Sequence, residues 1–183
     1  MSSFYPEKEL AELGLKSFGK NVLISRKCSI YSPEKISIGD NVRIDDFCIL
    51  SGEITLGSHI HIAAYCALYG AFGIEIEDYT GISVRCTVLS ASDDFSGNYL
   101  AGPTMPKDTT NVTGGRVTFK KYSIVGVGCV IFPNVTIKEG AVAGAMSLIN
   151  KSLDEWGIYA GIPAKKIKDR KKGLLNFVQA DGK

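Results

Sequence analysis

The amino-acid sequence predicts an all-β fold, a parallel β-helix of hexapeptide repeats, and three observations carry that prediction. Aliphatic residues recur at unbroken six-residue intervals at Ile38, Ile44, Leu50, Leu56, Ile62 and Leu68. A second apolar residue, often compact, follows each by four, at Val42, Cys48, Ile54, Ile60, Cys66 and Phe72. Cys28, Cys48, Cys66 and Cys86 are separated by 20, 18 and 20 residues, close to a coil of three hexapeptides. Two inward positions in every six describe one short strand and a corner. A fixed short period marks units that bury their apolar faces only by stacking on their neighbours.

Residues 1–20 are expected to form a capping helix and lead-in. Pro6 followed by Glu7 to Leu13 has proline and acids in its first turn, and Gly14 stops it. The first ten residues hold two glutamates where an export signal would carry its apolar core. No stretch approaches the roughly 18 apolar residues of a membrane span. With 183 residues, 45% hydrophobic, 22% charged and a net charge of +2, the chain suits a single domain.

Residues 21–152 form the β-helix proper. Ile30 and Ile24 extend the period backwards once two extra residues are allowed between 32 and 37. Ile76, Ile82 and Val88 extend it forwards after a similar insertion between 70 and 75. A third block, Phe119, Val125, Ile131, Ile137, Ala143 and Ile149, resumes after residues 91–116, which show no period and are expected to protrude as a loop. The insertions account for both 20-residue cysteine gaps, so the thiols should stack in one interior column ~4.8 Å apart. Cys129 and Ser147 continue it. Five cysteines can also frame disulfides or a metal, but there is no CxxC pair and no nearby Cys/His cluster, so the thiols are read as compact apolar packing. Unpaired thiols without an export signal point to the reducing cytoplasm.

Residues 153–183 form a basic C-terminal segment and helix. From Lys165 to Lys172 six basic residues face one acid, more than the net charge of the chain. This run reads either as an anion site for phosphates or as a solvated, amphipathic terminal helix. Binding of nucleic acid is not indicated, because the run lacks interleaved aromatics or a reading module. The two histidines, His59 and His61, both fall between inward aliphatics and should face outward.

The hexapeptides, the thrown-out loop and the closing stretches from Val142 to Ser147 and from Tyr159 to Lys165 resemble the left-handed β-helix acyltransferases. The nearest likeness is to galactoside and maltose O-acetyltransferases and to the sugar acetyltransferases of bacterial surface polysaccharide synthesis. The resemblance covers about residues 20–170. It implies a left-handed solenoid, a homotrimer with a site in each groove between subunits, and acetyl-CoA as co-substrate. Motif by motif it places the cofactor beside Val84, Val127, Ala145, Asn150 and Lys151, with Lys165 and Lys168 at the nucleotide phosphates. Trp156 and Tyr159 read either as a border to the adenine or as packing aromatics.

Acyl transfer needs a base for the attacking group and a donor for the oxyanion. Here the chain departs from the pattern: Asp93 and Asp94 stand where those enzymes carry the catalytic histidine, and Ala63 stands where they carry an asparagine. The inference is that His61 serves as base, with Asp93 or Asp94 orienting it or the acceptor across the groove. An aspartate base, and an amine acceptor that needs little base, stay open beside it. Asp93, Asp94 and Tyr99 are the expected acceptor contacts. A zinc carbonic anhydrase would need three histidines, and a non-catalytic trimeric scaffold would not need the cofactor-side motif. The expected activity is transfer of an acetyl group from acetyl-CoA to a hydroxyl or amino group of a sugar or sugar nucleotide, without a metal or an acyl-enzyme.

Overall fold

The computed structural model describes residues 3–178. The chain winds into a left-handed parallel β-helix of about seven coils, triangular in section. The first face stacks Ser17–Phe18, Ile36–Ile38, residues 54–56 and 74–76, Val117–Phe119 and Thr136–Ile137. The second stacks Leu23–Ile24, Val42–Ile44, Ile60–Ile62, Gly81–Ile82, Ile124–Val125, Val142–Ala143 and Gly157–Ala160. The third stacks Ser29–Tyr31, residues 49–51 and 67–69, Thr87–Leu89, Val130–Ile131 and Leu148–Ile149.

Each strand pairs with its counterpart one coil on, so the period-two alternation of a strand becomes a set of interior columns. The inward column of the second face, Ile24, Ile44, Ile62, Ile82, Val125 and Ala143, is fully buried. The cysteines form another. Cys28, Cys48, Cys66, Cys86 and Cys129 each donate through Sγ to a carbonyl at the following corner, of Asp45, Ala63, Ser83, Gly126 and Gly144 respectively, at 3.0–3.2 Å. Ser147 ends the column by donating to Gly144 at 2.7 Å. Phe72 departs from its expected inward place. The insertion at residues 70–73 turns it outward, 46% exposed, and Ile74 takes its position above Ile54.

The corner between the first and second faces repeats one device. Asn21, Asn41, His59, Tyr79, Tyr122, Gly140 and Trp156 all take positive φ there, a conformation that costs a non-glycine residue about 1–3 kcal/mol. Side-chain stacking offsets that cost. His59 lies on Tyr79 with ring centroids 4.7 Å apart, Tyr79 on Tyr122 at 5.6 Å, and Tyr122 on Trp156 at 6.4 Å. Gly140 is required in this column, since a Cβ there would meet the Trp156 indole at 2.5 Å. His59 is therefore a member of a stack.

Every departure from an 18-residue coil falls at the corner between the third and first faces. The 3-10 turn Pro33–Lys35, residues 70–73 and the protruding loop all leave there. The loop has a two-stranded stem, Ala91–Asp93 antiparallel to Val112–Gly114. Arg116 anchors it by reaching Glu53 at 2.8 Å and Glu75 at 3.4 Å.

At the N-terminal end the helix Glu7–Glu12 buries Leu10 against the first coils. At the other end the basic run is a strand rather than the alternative helix: Lys165–Asp169 pairs antiparallel with Gly157–Ala160, and among the described residues of this segment Leu175–Val178 is helical. Trp156 and Tyr159 are each 7% exposed, one in the aromatic stack and the other accepting a hydrogen bond from the Asp154 amide, so both serve the packing of this end. Among the described residues no helix is long and apolar enough to cross a membrane.

Phe119, fully buried, is where the solenoid resumes after the loop. Phe119→Ala should cost about 3–5 kcal/mol, read as a lowered urea midpoint at constant slope.

Candidate active site

The corner between the second and third faces carries two outward columns, Ser25, Asp45, Ala63, Ser83, Gly126 and Gly144, and beside it Arg26, Asp46, Ala64, Val84, Val127 and Ala145. From the third coil upward every side chain in them is small, which leaves a trough along the helix axis. Along it lies a cavity of about 490 Å³ lined by His61, Ala63, Gly81, Ser83, Val84 and Val127 among others.

His61 is the outward residue of the strand Ile60–Ile62, directly above Arg43. Its Nε2 stands 2.7 Å from Asp45 Oδ2, while Asp45 Oδ1 accepts from Arg43 Nε at 2.7 Å. A carboxylate only accepts, so Nε2 carries the proton and Nδ1 keeps its lone pair whenever the ring is neutral. Partial burial raises the Asp45 carboxyl, but the bonds from His61 and Arg43 and their charge outweigh it, holding the carboxyl below its usual range. Sequence reasoning misses Asp45, because an aspartate at a corner is common and only the stacking of the coils brings it to His61. Within one chain Asp45 is the partner of His61 in place of Asp93 or Asp94.

The trough also offers backbone groups. The amides of Val84, Val127 and Ala145 make no hydrogen bond among the described residues, whereas the amide one position later on each of the middle coils bonds across the corner: Arg85 to Ala64, Gly128 to Val84 and Met146 to Val127. A ladder of unused donors beside apolar side chains suits an extended ligand with amide carbonyls. Ser83, whose hydroxyl has no partner among the described residues, stands within it.

The basic strand divides its charges. Arg170 is spent on the fold, donating to the carbonyls of Tyr122 at 2.7 Å and Gly140 at 2.9 Å, and burial pushes its guanidinium below the usual value. Lys166 pairs with Asp169 at 2.7 Å, and Lys172 lies over Trp156. Lys165 and Lys168 are exposed and face no carboxylate among the described residues, as are Asn150 and Lys151 beyond the strand Leu148–Ile149.

Asp93, Asp94 and Tyr99 sit at the third-to-first corner, at the mouth of the protruding loop, so one chain does not bring them beside His61 on the second face. Asp94 braces the loop: its carboxylate accepts from the Ser96 amide at 2.7 Å and from Asn111 Nδ2 at 3.0 Å, and the bonds to Ser96 and Asn111 lower its titration. Asp93 has no side-chain partner among the described residues, and Tyr99 is exposed. No three His, Cys, Asp or Glu side chains among the described residues group as metal ligands.

No protein-family model matches the chain. Among curated proteins it is 42% identical over 178 residues to a dTDP-4-amino-4,6-dideoxy-D-glucose acyltransferase of Escherichia coli, covering 96% of this chain and 93% of that protein. Among solved structures it matches AntD, an N-acyltransferase from Bacillus cereus, with 55% identity and a TM-score of 0.97 over 99% of this chain and 98% of the other. That crystal is of a serine variant with dTDP-4-amino-4,6-dideoxyglucose and Coenzyme A, and another AntD crystal holds dTDP and 3-hydroxybutyryl-CoA. The acetyltransferase domain of PglB from Neisseria gonorrhoeae, 18% identical with a TM-score of 0.60 over 80% of this chain and 57% of the other, shares the fold.

The lowered Asp45 carboxyl contributes stability that is complete above the ordinary carboxylate range and is lost as pH falls through its lowered value. Stability from urea titrations between about pH 6 and pH 3 should therefore fall less steeply in Asp45→Asn than in the wild type.

Proposed function

The chain belongs to the hexapeptide-repeat sugar acyltransferases, and from that premise we propose that it transfers an acetyl group from acetyl-CoA to the 4-amino group of a dTDP-linked 4-amino-4,6-dideoxyglucose, in the cytoplasm, for a surface polysaccharide. The observation that carries this reading is the His61–Asp45 pair at 2.7 Å, opening on a trough lined by unused backbone amides. The relatives at 42% and 55% identity both act on, or are crystallised with, this class of amino sugar, which favours nitrogen over oxygen as the acceptor atom.

In this reading the pantetheine arm lies along Val84, Val127 and Ala145, bonded to their amides. Lys165 and Lys168 meet the nucleotide phosphates, and Asn150 and Lys151 border the cofactor from an adjacent corner. Nδ1 of His61 takes a proton from the bound ammonium to free the attacking amine, or from the nitrogen of the tetrahedral adduct that the free amine forms. The amine lone pair forms the C–N bond, the C–S bond breaks, and the departing thiolate of CoA receives a proton from the His61 imidazolium. Asp45 keeps the imidazole in the tautomer that leaves Nδ1 basic. The Ser83 hydroxyl supplies a donor to the developing oxyanion.

Asp93 holds the acceptor ammonium. Two facts support Asp93 over Asp94: its carboxylate is unspent, and it lies ten residues after Ser83. The AntD variants replace a serine and an aspartate with that same separation. His61 and Asp93 lie on different faces, so the complete site forms between two chains of a homotrimer, with Tyr99 of the loop beside the sugar.

Release of CoA from acetyl-CoA, measured with dTDP-4-amino-4,6-dideoxyglucose, tests the reading. His61→Asn should lower kcat by about 10²–10⁴-fold. A loss of only a few-fold would remove His61 as base. Asp93→Asn should raise KM for the amino sugar more than for acetyl-CoA, and mixing the two variants should restore part of the activity through hybrid sites. By calorimetry, Lys165→Glu with Lys168→Glu should weaken acetyl-CoA binding. No binding by the wild type would turn the reading toward a trimeric scaffold.

A further inference from the structure

Resting on the reading of His61 as base, we propose that Arg43 is a positioning residue for the reaction, which fixes Asp45 beneath the imidazole, and that the N-terminal strap of residues 3–5 holds Arg43 in that role through Phe4. Four side chains form one line of contact. The Arg43 guanidinium lies over the Phe4 ring, its carbon 5.1 Å from the centroid. Arg43 Nε donates to Asp45 Oδ1 at 2.7 Å, and Asp45 Oδ2 stands 2.7 Å from His61 Nε2.

The last torsion of an aspartate is broad, so one bond leaves the carboxylate plane loose and two fix it. The charges around the pair are sorted so that the second bond comes from Arg43. Asp46 accepts from Ser25 Oγ and, at 2.9 Å, from Lys27 Nζ, while Glu9 accepts from both terminal nitrogens of Arg26 at 2.6 and 2.8 Å. With those two carboxylates spent, one oxygen of Asp45 is left to Arg43 and the other to His61. Above the imidazole the next coil offers Thr80, Gly81 and Ser83, none of them charged.

An exposed arginine paired along one surface strand is ordinarily worth little, because a long side chain gives up its freedom to make the pair. The Arg43 side chain is 54% exposed beside a cavity of about 440 Å³, so it has room to swing away. The strap supplies what the pair lacks. Phe4 pairs antiparallel with Ser25, the Tyr5 amide donates to the Ile24 carbonyl at 2.9 Å, and the Arg26 amide donates to the Ser3 carbonyl at 2.8 Å. Arg26, itself gripped by Glu9, lies over the Tyr5 ring at 5.0 Å. Main chain and cation together hold the strap against the first coil, and that fixes the Phe4 ring on which Arg43 rests.

The test is a double-mutant cycle on turnover of acetyl-CoA with dTDP-4-amino-4,6-dideoxyglucose. Arg43→Met should lower kcat about tenfold, the worth of one hydrogen bond to a charged group, with KM for both substrates within about twofold. Asp45→Ala is a tolerable background, since Ala63 holds the same corner position one coil above. In that background Arg43→Met should have no further effect. Phe4→Leu should lower kcat about threefold, the worth of an exposed cation–π contact, and only while Arg43 is present. An Arg43→Met variant that raises KM for the amino-sugar nucleotide, or that lowers kcat as much without Asp45 as with it, would overturn the inference and leave His61 as base. Asp45→Ala turning over like the wild type, or a wild type with no turnover, would overturn the base reading as well.

Discussion

Coil stacked upon coil is the constraint from which the rest of this molecule follows. No coil has a core of its own: a three-residue strand such as Ile60–Ile62 turns two side chains inward and one outward, and along the axis the inward pair lies between Val42 and Ile44 below and Ile82 above. Register along the axis is therefore compulsory, since a slip of one residue would turn each buried column to solvent. The cysteine column shows how tight the corners are. Each thiol is small enough to sit inside the bend and polar enough to satisfy the carbonyl that the bend would otherwise leave unpaired.

The same constraint explains where chemistry can be placed. Inward positions are spent on the stack, and the first-to-second corner is spent on the His59, Tyr79, Tyr122 and Trp156 pile that offsets the positive φ of those residues. What remains is the outward residue of each strand and the small residues of the second-to-third corner. His61 and Asp45 come from successive coils, sixteen positions apart in the chain, and the stacking geometry brings them to 2.7 Å. A solenoid thus assembles a side-chain pair across coils as a helix assembles one across turns.

The six-residue period made most of the fold legible, because each interior column is written in the sequence as a regular series of apolar residues. The places where it misled are places where the series is satisfied by composition but broken by length. Phe72 is apolar and in phase, yet the two inserted residues around it push it outside, and Ile74 inherits the column. The basic run looked equally suited to a helix because its charges do not alternate, and only the free edge of Gly157–Ala160 decides for a strand. At the site, His61 was legible because histidine is rare here. Asp45 and Ser83 were not, since an aspartate or serine at a corner is common, and what distinguishes these two is a neighbour one coil away. Handedness, the cofactor path and Lys165 with Lys168 came from family likeness, which the periodicity could not replace.

The strand Lys165–Asp169 closes the top of the stack in the opposite direction to every strand beneath it. A parallel solenoid that simply stopped would present a row of unpaired amides and carbonyls in the geometry needed to receive the first coil of another copy, and such an end grows into a filament. Here the last edge runs the wrong way for a parallel addition, carries lysines at three of its five positions, and is all exposed. Those are the features by which natural sheets discourage edge-to-edge polymerisation. A lysine-rich closing strand therefore keeps a chain built for stacking from stacking without limit.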